Sequence, residues 1–281
     1  MSTPRFAFHP VLGHEIHVTE WGKTGAPALV MMHGLARTGR DFDELARALS
    51  DSYHVLCPDM IGRGLSGWSA QPSTDYRIGH YAEIILALLD GYKISQAAWI
   101  GTSMGGQIGM RIACGEHHRR LTGLLVNDMG PEVPEEALER ILSYVGKPPE
   151  FATVSEAQTW FRTAYAPFGP ASDLFWQRMV ATSLRRRSNG AFTLHYDPAL
   201  THQFTDAPED MECWDGWAKI TVPTDLFFGG QSDLVTPDIL ERMIRTRRDC
   251  KPACFKECGH APTLSRPSDI ALVRQALARY L

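Results

Sequence analysis

The chain has 281 residues, of which 44% are hydrophobic and 21% charged, enough to bury the core of one large α/β domain or two modest ones. Acidic residues outnumber basic ones by 32 to 28, and the one short basic run is Arg185–Arg187. This balance argues against nucleic acid as a partner. The sequence shows no membrane-spanning stretch and no apolar signal segment. We therefore expect a cytoplasmic protein with a small-molecule substrate and no membrane partner, and a homodimer stays possible.

The predicted elements alternate between short apolar strands and amphipathic helices. Residues 14 to 21 alternate apolar and polar side chains between Gly13 and Gly22, which predicts an edge strand. Further strands are predicted at 28–33, 53–57, 96–102, 121–126, 224–230 and 253–257, and helices at 41–50, 78–92, 104–114, 237–245 and 267–281. This repeated order predicts an α/β fold with a mainly parallel sheet flanked by helices.

The alternation is interrupted between residues 129 and 218. This segment is rich in aromatic residues and proline and has helical patterns at 135–146, 155–166 and 171–187. We expect it to form a helical cap over the carboxyl edge of the sheet, where open α/β sheets carry their ligand crevice. The predicted core then comprises residues 1–128 and 219–281. The cap aromatics that could line an apolar pocket are Trp160, Phe161, Tyr165, Phe168, Phe175 and Trp176. We single out Trp160 and Trp214 as possible substrate contacts.

Ser103 lies where the predicted strand 96–102 meets the predicted helix 104–114. A sharp strand-to-helix turn strains the backbone of its central residue and needs small neighbours on both sides, which Gly101 and Gly105 supply. The turn would expose the Ser103 hydroxyl at a helix N-terminus, where negative charge is favoured. The sequence therefore predicts a nucleophilic serine.

Two later residues complete a possible catalytic set in the order Ser103, Asp233, His260. Asp233 and His260 each follow the end of a predicted strand, and parallel strands bring such ends to one edge of the sheet. A serine hydroxyl needs an imidazole to take its proton, and a carboxylate to orient that imidazole. Asp128 competes for the carboxylate role, but we prefer Asp233 and interpret Asp128 as part of the turn into the cap.

These motifs resemble those of the α/β-hydrolase-fold superfamily over nearly the whole chain. The similar segments are HGLART (33–38), DMIGRGLS (59–66), GTSMGG (101–106), GGQSDLVTP (229–237) and CGHAPTL (258–264). The resemblance implies that the backbone N–H groups of Leu35 and Met104 form an oxyanion hole, and that the reaction needs no cofactor. It also implies an acyl-enzyme, because the nucleophile is a serine and not an aspartate. His33, at the start of the loop, is interpreted as structural.

The sequence leaves several reactions open. The first hypothesis is a serine hydrolase acting on a carboxylic ester or lactone. Possible partners for a substrate carboxylate are Arg37, Arg63 and one of Arg185 to Arg187. The alternatives are carbon–carbon bond hydrolysis of a diketone-type acid, a cofactor-free perhydrolase and, less favoured, a ligand-binding module without catalysis. No metal site is predicted, because the cysteines and His260 between 250 and 260 are spread along an extended strand.

Overall fold

The computed structural model describes residues 3–280. The elements before the cap are β1 (Arg5–Val11), β2 (His14–Trp21), β3 (Ala28–Met32), α1 (Asp43–Leu49), β4 (His54–Pro58), α2 (Pro72–Asp75), α3 (Ile78–Gly91), β5 (Ala97–Thr102), α4 (Met104–Cys114) and β6 (Leu121–Asn127). The next elements are α5 (Glu135–Val145), β7 (Glu150–Phe151), α6 (Val154–Ala164), α7 (Asp173–Ser183), β8 (Leu184–Arg186), β9 (Phe192–Leu194), α8 (His202–Thr205) and α9 (Trp214–Lys219). The chain ends with β10 (Thr224–Gly229), α10 (Pro237–Thr246), β11 (Lys251–Phe255) and α11 (Pro267–Leu277).

Eight strands form one sheet in the order β1-β2-β4-β3-β5-β6-β10-β11. β1 and β2 run antiparallel to their neighbours, and the six strands from β4 to β11 are mutually parallel. Side chains of β5 alternate between two apolar cores: Trp99 belongs to the core with α3 and α4, and Ile100 to the core with α1 and α11. Because both faces are covered by helices, the parallel strands are continuous apolar runs. The predicted α/β class and parallel sheet are confirmed.

The sheet differs from the expectation at its two edges. The strand at 14–21 lies between β1 and β4, so the edge strand is β1, which the periodicity did not predict. β1 contains Pro10, which lacks an N–H and is tolerated at an edge. At the other edge, β11 covers 251–255 and ends two residues earlier than expected.

The inserted segment between β6 and β10 is not purely helical. It contains α5, α6 and α7 and a small antiparallel sheet with the order β7-β9-β8. The expected helix at 171–187 ends at Ser183, and 184–186 form β8. The expected boundary at 218/219 falls inside α9, which packs against α4 and α10 of the core. Within residues 3–280, every helix is too short or too polar to cross a lipid bilayer.

Candidate active site

Ser103 occupies the tight turn between β5 and α4. Its backbone has φ 54° and ψ −120°, a strained conformation for a residue with a side chain. A Cβ on Gly101 would lie 2.1 Å from the carbonyl oxygen of Gly105, and a Cβ on Gly105 would lie 2.2 Å from that of Met32. The two glycines are therefore required by direct backbone contact, and they allow α4 to begin immediately after Ser103.

His260 joins Ser103 to a carboxylate. Its Nε2 lies 2.9 Å from Ser103 Oγ, and its Nδ1 lies 2.7 Å from Asp128 Oδ2. A carboxylate oxygen accepts hydrogen bonds, so Nδ1 carries the proton and its N–H donates a hydrogen bond to Asp128. The lone pair of Nε2 is then directed at the Ser103 hydroxyl, which donates to it. This is the arrangement needed to remove a proton from the serine.

Asp128 is fully buried and all its hydrogen bonds come from residues distant in sequence. Its Oδ1 accepts from the Gly229 N–H at 2.9 Å, and its Oδ2 accepts from Ser232 Oγ at 2.8 Å as well as from His260. The carboxylate of Asp128 thus accepts hydrogen bonds from three places: the end of β10, the loop after β10, and His260 after β11. This network holds the imidazole in one orientation.

The preference for Asp233 is wrong, because its carboxylate does not contact His260. The Asp233 side chain is 45% exposed and forms an ion pair with Arg140 of α5 at 2.7 Å. Asp233 lies four residues beyond the end of β10, whereas Asp128 follows β6 directly. The distance from the strand end was the sequence signal that favours Asp128. The loop after β10 contributes Ser232 to the site instead.

The loop after β3 lies beside the serine. A Cβ on Gly34 would lie 3.5 Å from Ser103 Cβ, so the backbone at Gly34 lies close to the serine side chain. Among residues 3–280, no protein acceptor takes a hydrogen bond from the Leu35 or Met104 N–H. The Met104 N–H is also the first of α4, at the positive end of the helix dipole. Both donors predicted for an oxyanion are therefore free of protein acceptors in the described part of the chain.

Buried polar residues fix this loop against the loop after β4. His33 accepts from the Met60 N–H at its Nε2 and donates from Nδ1 to the Gly34 carbonyl. Burial lowers the pKa of His33 to about 4, so the ring is neutral and both nitrogens are occupied. Asp59 accepts from the Gly39 N–H, 2.8 Å away, and from His17. His33 is thus structural, as the sequence indicates.

Arg63 is a further functional candidate that sequence reasoning placed only among general substrate-binding arginines. It is fully buried, and no carboxylate within residues 3–280 forms an ion pair with it. Its Nε donates to the Leu35 carbonyl at 2.8 Å, its Nη1 to Tyr81 Oη at 2.7 Å, and its Nη2 lies 3.3 Å from Met104 Sδ. The guanidinium therefore contacts both residues that are predicted to donate to an oxyanion.

A cavity of about 80 Å³ opens onto Ser103 and His260. Core residues of the loop after β3 form one side, and cap residues form the other. The cap residues at the cavity are Ile141, Tyr144, Tyr165, Phe168 and Phe175. The walls are mostly apolar, so the space suits an apolar or weakly polar group.

Of Arg37, Trp160 and Trp214, which were predicted to contact substrate, Arg37 lies at the cavity and the two tryptophans do not. Arg37 lines the cavity, but its Nε and Nη2 bond to the carboxylate of Asp41 at 2.8 and 2.6 Å. Its charge is therefore already paired. The predictions for Trp160 and Trp214 are wrong as far as the cavity is concerned. Trp160 packs inside the cap against Phe151 and Phe161, and Trp214 lies in α9 on the core, where its Nε1 donates to Glu132. The number of aromatic residues in the cap does not predict which of their side chains face the cavity.

The matched family model defines the class of protein to which this fold and site belong. The model of the alpha/beta hydrolase family matches residues 29–271, and the chain belongs to that family. At the level of individual relatives, the chain is 35% identical to the 3-hydroxybutyrate-oligomer hydrolase of Cupriavidus necator, with 98% of each chain covered. It is 27% identical to the non-heme chloroperoxidase of Burkholderia pyrrocinia, covering 79% of this chain and 80% of the relative. An alpha/beta hydrolase from Novosphingobium aromaticivorans has a similar solved structure, with 30% identity, a TM-score of 0.85 and 99% of each chain covered.

Proposed function

We propose that the protein is a serine hydrolase that cleaves carboxylic esters through an acyl-enzyme. The observation that carries this proposal is the continuous hydrogen-bonded series from Ser103 Oγ through His260 to the buried carboxylate of Asp128. In this order the three groups act as nucleophile, general base and orienting acid. Asp128 keeps the proton on Nδ1 and stabilises the imidazolium that forms at Nε2.

The reaction has two halves. Ser103 Oγ attacks the ester carbonyl carbon while its proton moves to His260 Nε2, and the carbonyl oxygen becomes an oxyanion bound by the Leu35 and Met104 N–H groups. The alcohol oxygen then takes the proton from Nε2 and leaves. A water molecule gives its proton to Nε2, attacks the acyl carbon and releases the acid, and Ser103 regains its proton.

The cavity supports a short acyl group. A water molecule needs about 10–15 Å³ of such volume, so a cavity of about 80 Å³ holds on the order of five to eight non-hydrogen atoms. A hydroxybutyryl group is of this size, and the relative from Cupriavidus necator carries the name of a 3-hydroxybutyrate-oligomer hydrolase. We therefore propose short-chain hydroxyacid oligoesters as the substrate class.

Specific observations bear on two of the alternative reactions, carbon–carbon bond hydrolysis and perhydrolysis. Carbon–carbon hydrolysis of a diketone-type acid would need a cation for the substrate carboxylate, and Arg37 at the cavity is already paired with Asp41. Perhydrolysis remains a second candidate because one relative is a non-heme chloroperoxidase, and a peroxidase uses hydrogen peroxide. Hydrogen peroxide could replace water in the attack on the acyl-enzyme and release a peracid.

The test is hydrolysis of 3-hydroxybutyrate dimers and trimers and of p-nitrophenyl butyrate, compared between the wild type and Ser103→Ala. We expect the wild type to cleave both substrates and the variant to lose about 10⁴-fold or more in kcat. Cleavage of p-nitrophenyl butyrate without cleavage of the oligomers would keep the ester hydrolase and overturn the substrate class. Equal rates in both proteins would overturn the hydrolase mechanism, and peracid formation on adding hydrogen peroxide would support the second candidate.

A further inference from the structure

Two histidines and one aspartate meet outside the active site, on three different elements. His14 is the first residue of β2, Asp75 the last of α2, and His80 lies in the first turn of α3. One ligand atom from each lies within 4.8 Å of the other two. His14 Nε2 is 3.5 Å from Asp75 Oδ2, and the two side chains are only 15% and 20% exposed. Because His14 is far in sequence from Asp75 and His80, no short sequence motif indicates that the three residues lie together.

His80 has a ring nitrogen with a free lone pair, which a metal ligand needs. Its Nδ1 lies 3.2 Å from Glu83 Oε2, so Nδ1 carries the proton and Nε2 is the unprotonated nitrogen. Nε2 is buried and has no hydrogen-bond partner within residues 3–280. A carboxylate on the far nitrogen is the usual support of a metal-binding histidine, because it fixes the tautomer and the ring orientation.

Asp75 is held in the same way. Ser69 Oγ donates to its Oδ2, and Thr74 Oγ1 donates to its Oδ1 at 2.9 Å. These two hydrogen bonds hold the carboxylate in one orientation, with Oδ2 on the side of His14. A metal ligand needs a fixed orientation of this kind.

We propose that His14, Asp75 and His80 bind a divalent transition-metal ion such as Ni²⁺, Co²⁺ or Zn²⁺. Two imidazoles and one carboxylate suit these ions better than Mg²⁺ or Ca²⁺, which prefer oxygen ligands. Metal bonds of 2.0–2.2 Å in a tetrahedral site place ligand atoms about 3.3–3.6 Å apart, so the 3.5 Å between His14 and Asp75 fits without adjustment. The ligand atom of His80 lies within 4.8 Å of the other two, so a side-chain rotation would bring it to the same point, and water would complete the coordination.

The ion would join separate parts of the chain. It would connect the start of β2 to the α2–α3 segment, whose Tyr76 donates a hydrogen bond to Asp197 of the inserted segment. A ligand that binds only the folded state stabilises it. We therefore expect the metal to raise the unfolding temperature. None of the three residues lines the cavity at Ser103, so the site is independent of the proposed hydrolase function.

The test uses the full-length, tag-free protein, stripped of metal with EDTA and titrated with NiCl₂ and CoCl₂ by calorimetry. The chain has six free cysteines, and Ni²⁺ and Co²⁺ report thiolate binding by a charge-transfer band, which we expect to be absent. The variants are His14→Gln and His80→Gln, and the control is His117→Gln, an exposed histidine elsewhere on the surface.

We expect the wild type and His117→Gln to bind one ion and to unfold at a higher temperature with it. His14→Gln and His80→Gln should lose at least about tenfold in affinity, and the metal should no longer shift their unfolding temperature. All four proteins should retain p-nitrophenyl butyrate hydrolysis, which also shows that they are folded. Unchanged binding in both site variants, a thiolate band, or no bound ion in the wild type would overturn the proposal.

Discussion

Asp128 is buried and bonded to His260, whereas Asp233 is exposed and paired with Arg140. We therefore expect substitution of the two residues to affect activity differently. Asp128→Asn would place an amide opposite His260 Nδ1 and favour the wrong tautomer, so we expect kcat to fall by about 10³–10⁴-fold. Asp233→Asn removes an exposed ion pair with Arg140, so kcat should stay within about threefold of the wild type. Rates with p-nitrophenyl butyrate measure both effects. A loss in Asp233→Asn as large as that in Asp128→Asn would contradict the proposed roles.

Arg63 is expected to act as a positioning residue for the oxyanion. Arg63→Lys keeps the charge but loses the Nε–H that donates to the Leu35 carbonyl. The Leu35 N–H would then be held less firmly where negative charge develops, so we expect kcat to fall about tenfold or more with KM nearly constant.

The control for Arg63 is Arg111→Lys, an exposed position on α4. The rate of labelling by a fluorophosphonate gives a second readout, because the reagent places a phosphoryl oxygen at the oxyanion position. A rise in KM with unchanged kcat and unchanged labelling would indicate that Arg63 acts on substrate binding instead.

At the scale of elements, Glu20 joins four parts of the chain at the β1 side of the sheet. Its carboxylate lies near Arg5 of β1, His54 of β4 and Tyr92 after α3. The hydrogen bond from His54, with those from Tyr92 and Arg5, outweighs burial and lowers the pKa of Glu20 from 4.5 to about 2. The folded protein therefore binds this proton less readily than the unfolded chain, and the ionised carboxylate stabilises the fold.

This stabilisation should be complete above pH 4.5 and should disappear as the pH falls towards 2. We expect Glu20→Gln to lower the free energy of unfolding at pH 7 by about 1–2 kcal/mol, and the difference from the wild type to shrink over that pH range. Urea unfolding at several pH values measures it. Glu241→Gln, at an exposed position on α10, is the control, and a difference that is constant from pH 7 to pH 2 would contradict the explanation.

The elements that could be predicted from sequence are those with strong local signals. The strand-turn-helix around Ser103 has two glycines that backbone contact requires, and the parallel strands are continuous apolar runs. β1 and β8 were missed because their side chains are partly exposed and give no clear alternation, and Arg185–Arg186 also favour helix in isolation. The place of Asp128 directly after β6 was the sequence signal in its favour, but its partners Gly229 and Ser232 are about 100 residues away and give no local signal.

At the scale of the whole molecule, the cavity is shared by the core and the cap, so its size should determine chain-length preference. Phe168→Ala removes a cap side chain at the cavity. We expect the ratio of kcat/KM for p-nitrophenyl octanoate to that for the butyrate to rise about tenfold or more, because longer acyl chains then fit. Leu174→Ala, an exposed cap residue away from the cavity, should leave the ratio unchanged. A ratio that does not move in Phe168→Ala would mean that the acyl chain binds elsewhere.

The insertion point of the cap has a consequence for modularity. Ser103, Asp128 and the two proposed oxyanion donors all precede residue 129. His260 and the two residues that hydrogen-bond to Asp128, Gly229 and Ser232, follow the cap. The reacting groups thus belong to a scaffold that the cap segment interrupts only once, between neighbouring strands β6 and β10. Exchange of the segment from α5 to α8 for that of a family member is therefore a route to new substrate ranges in which the reaction geometry is inherited unchanged.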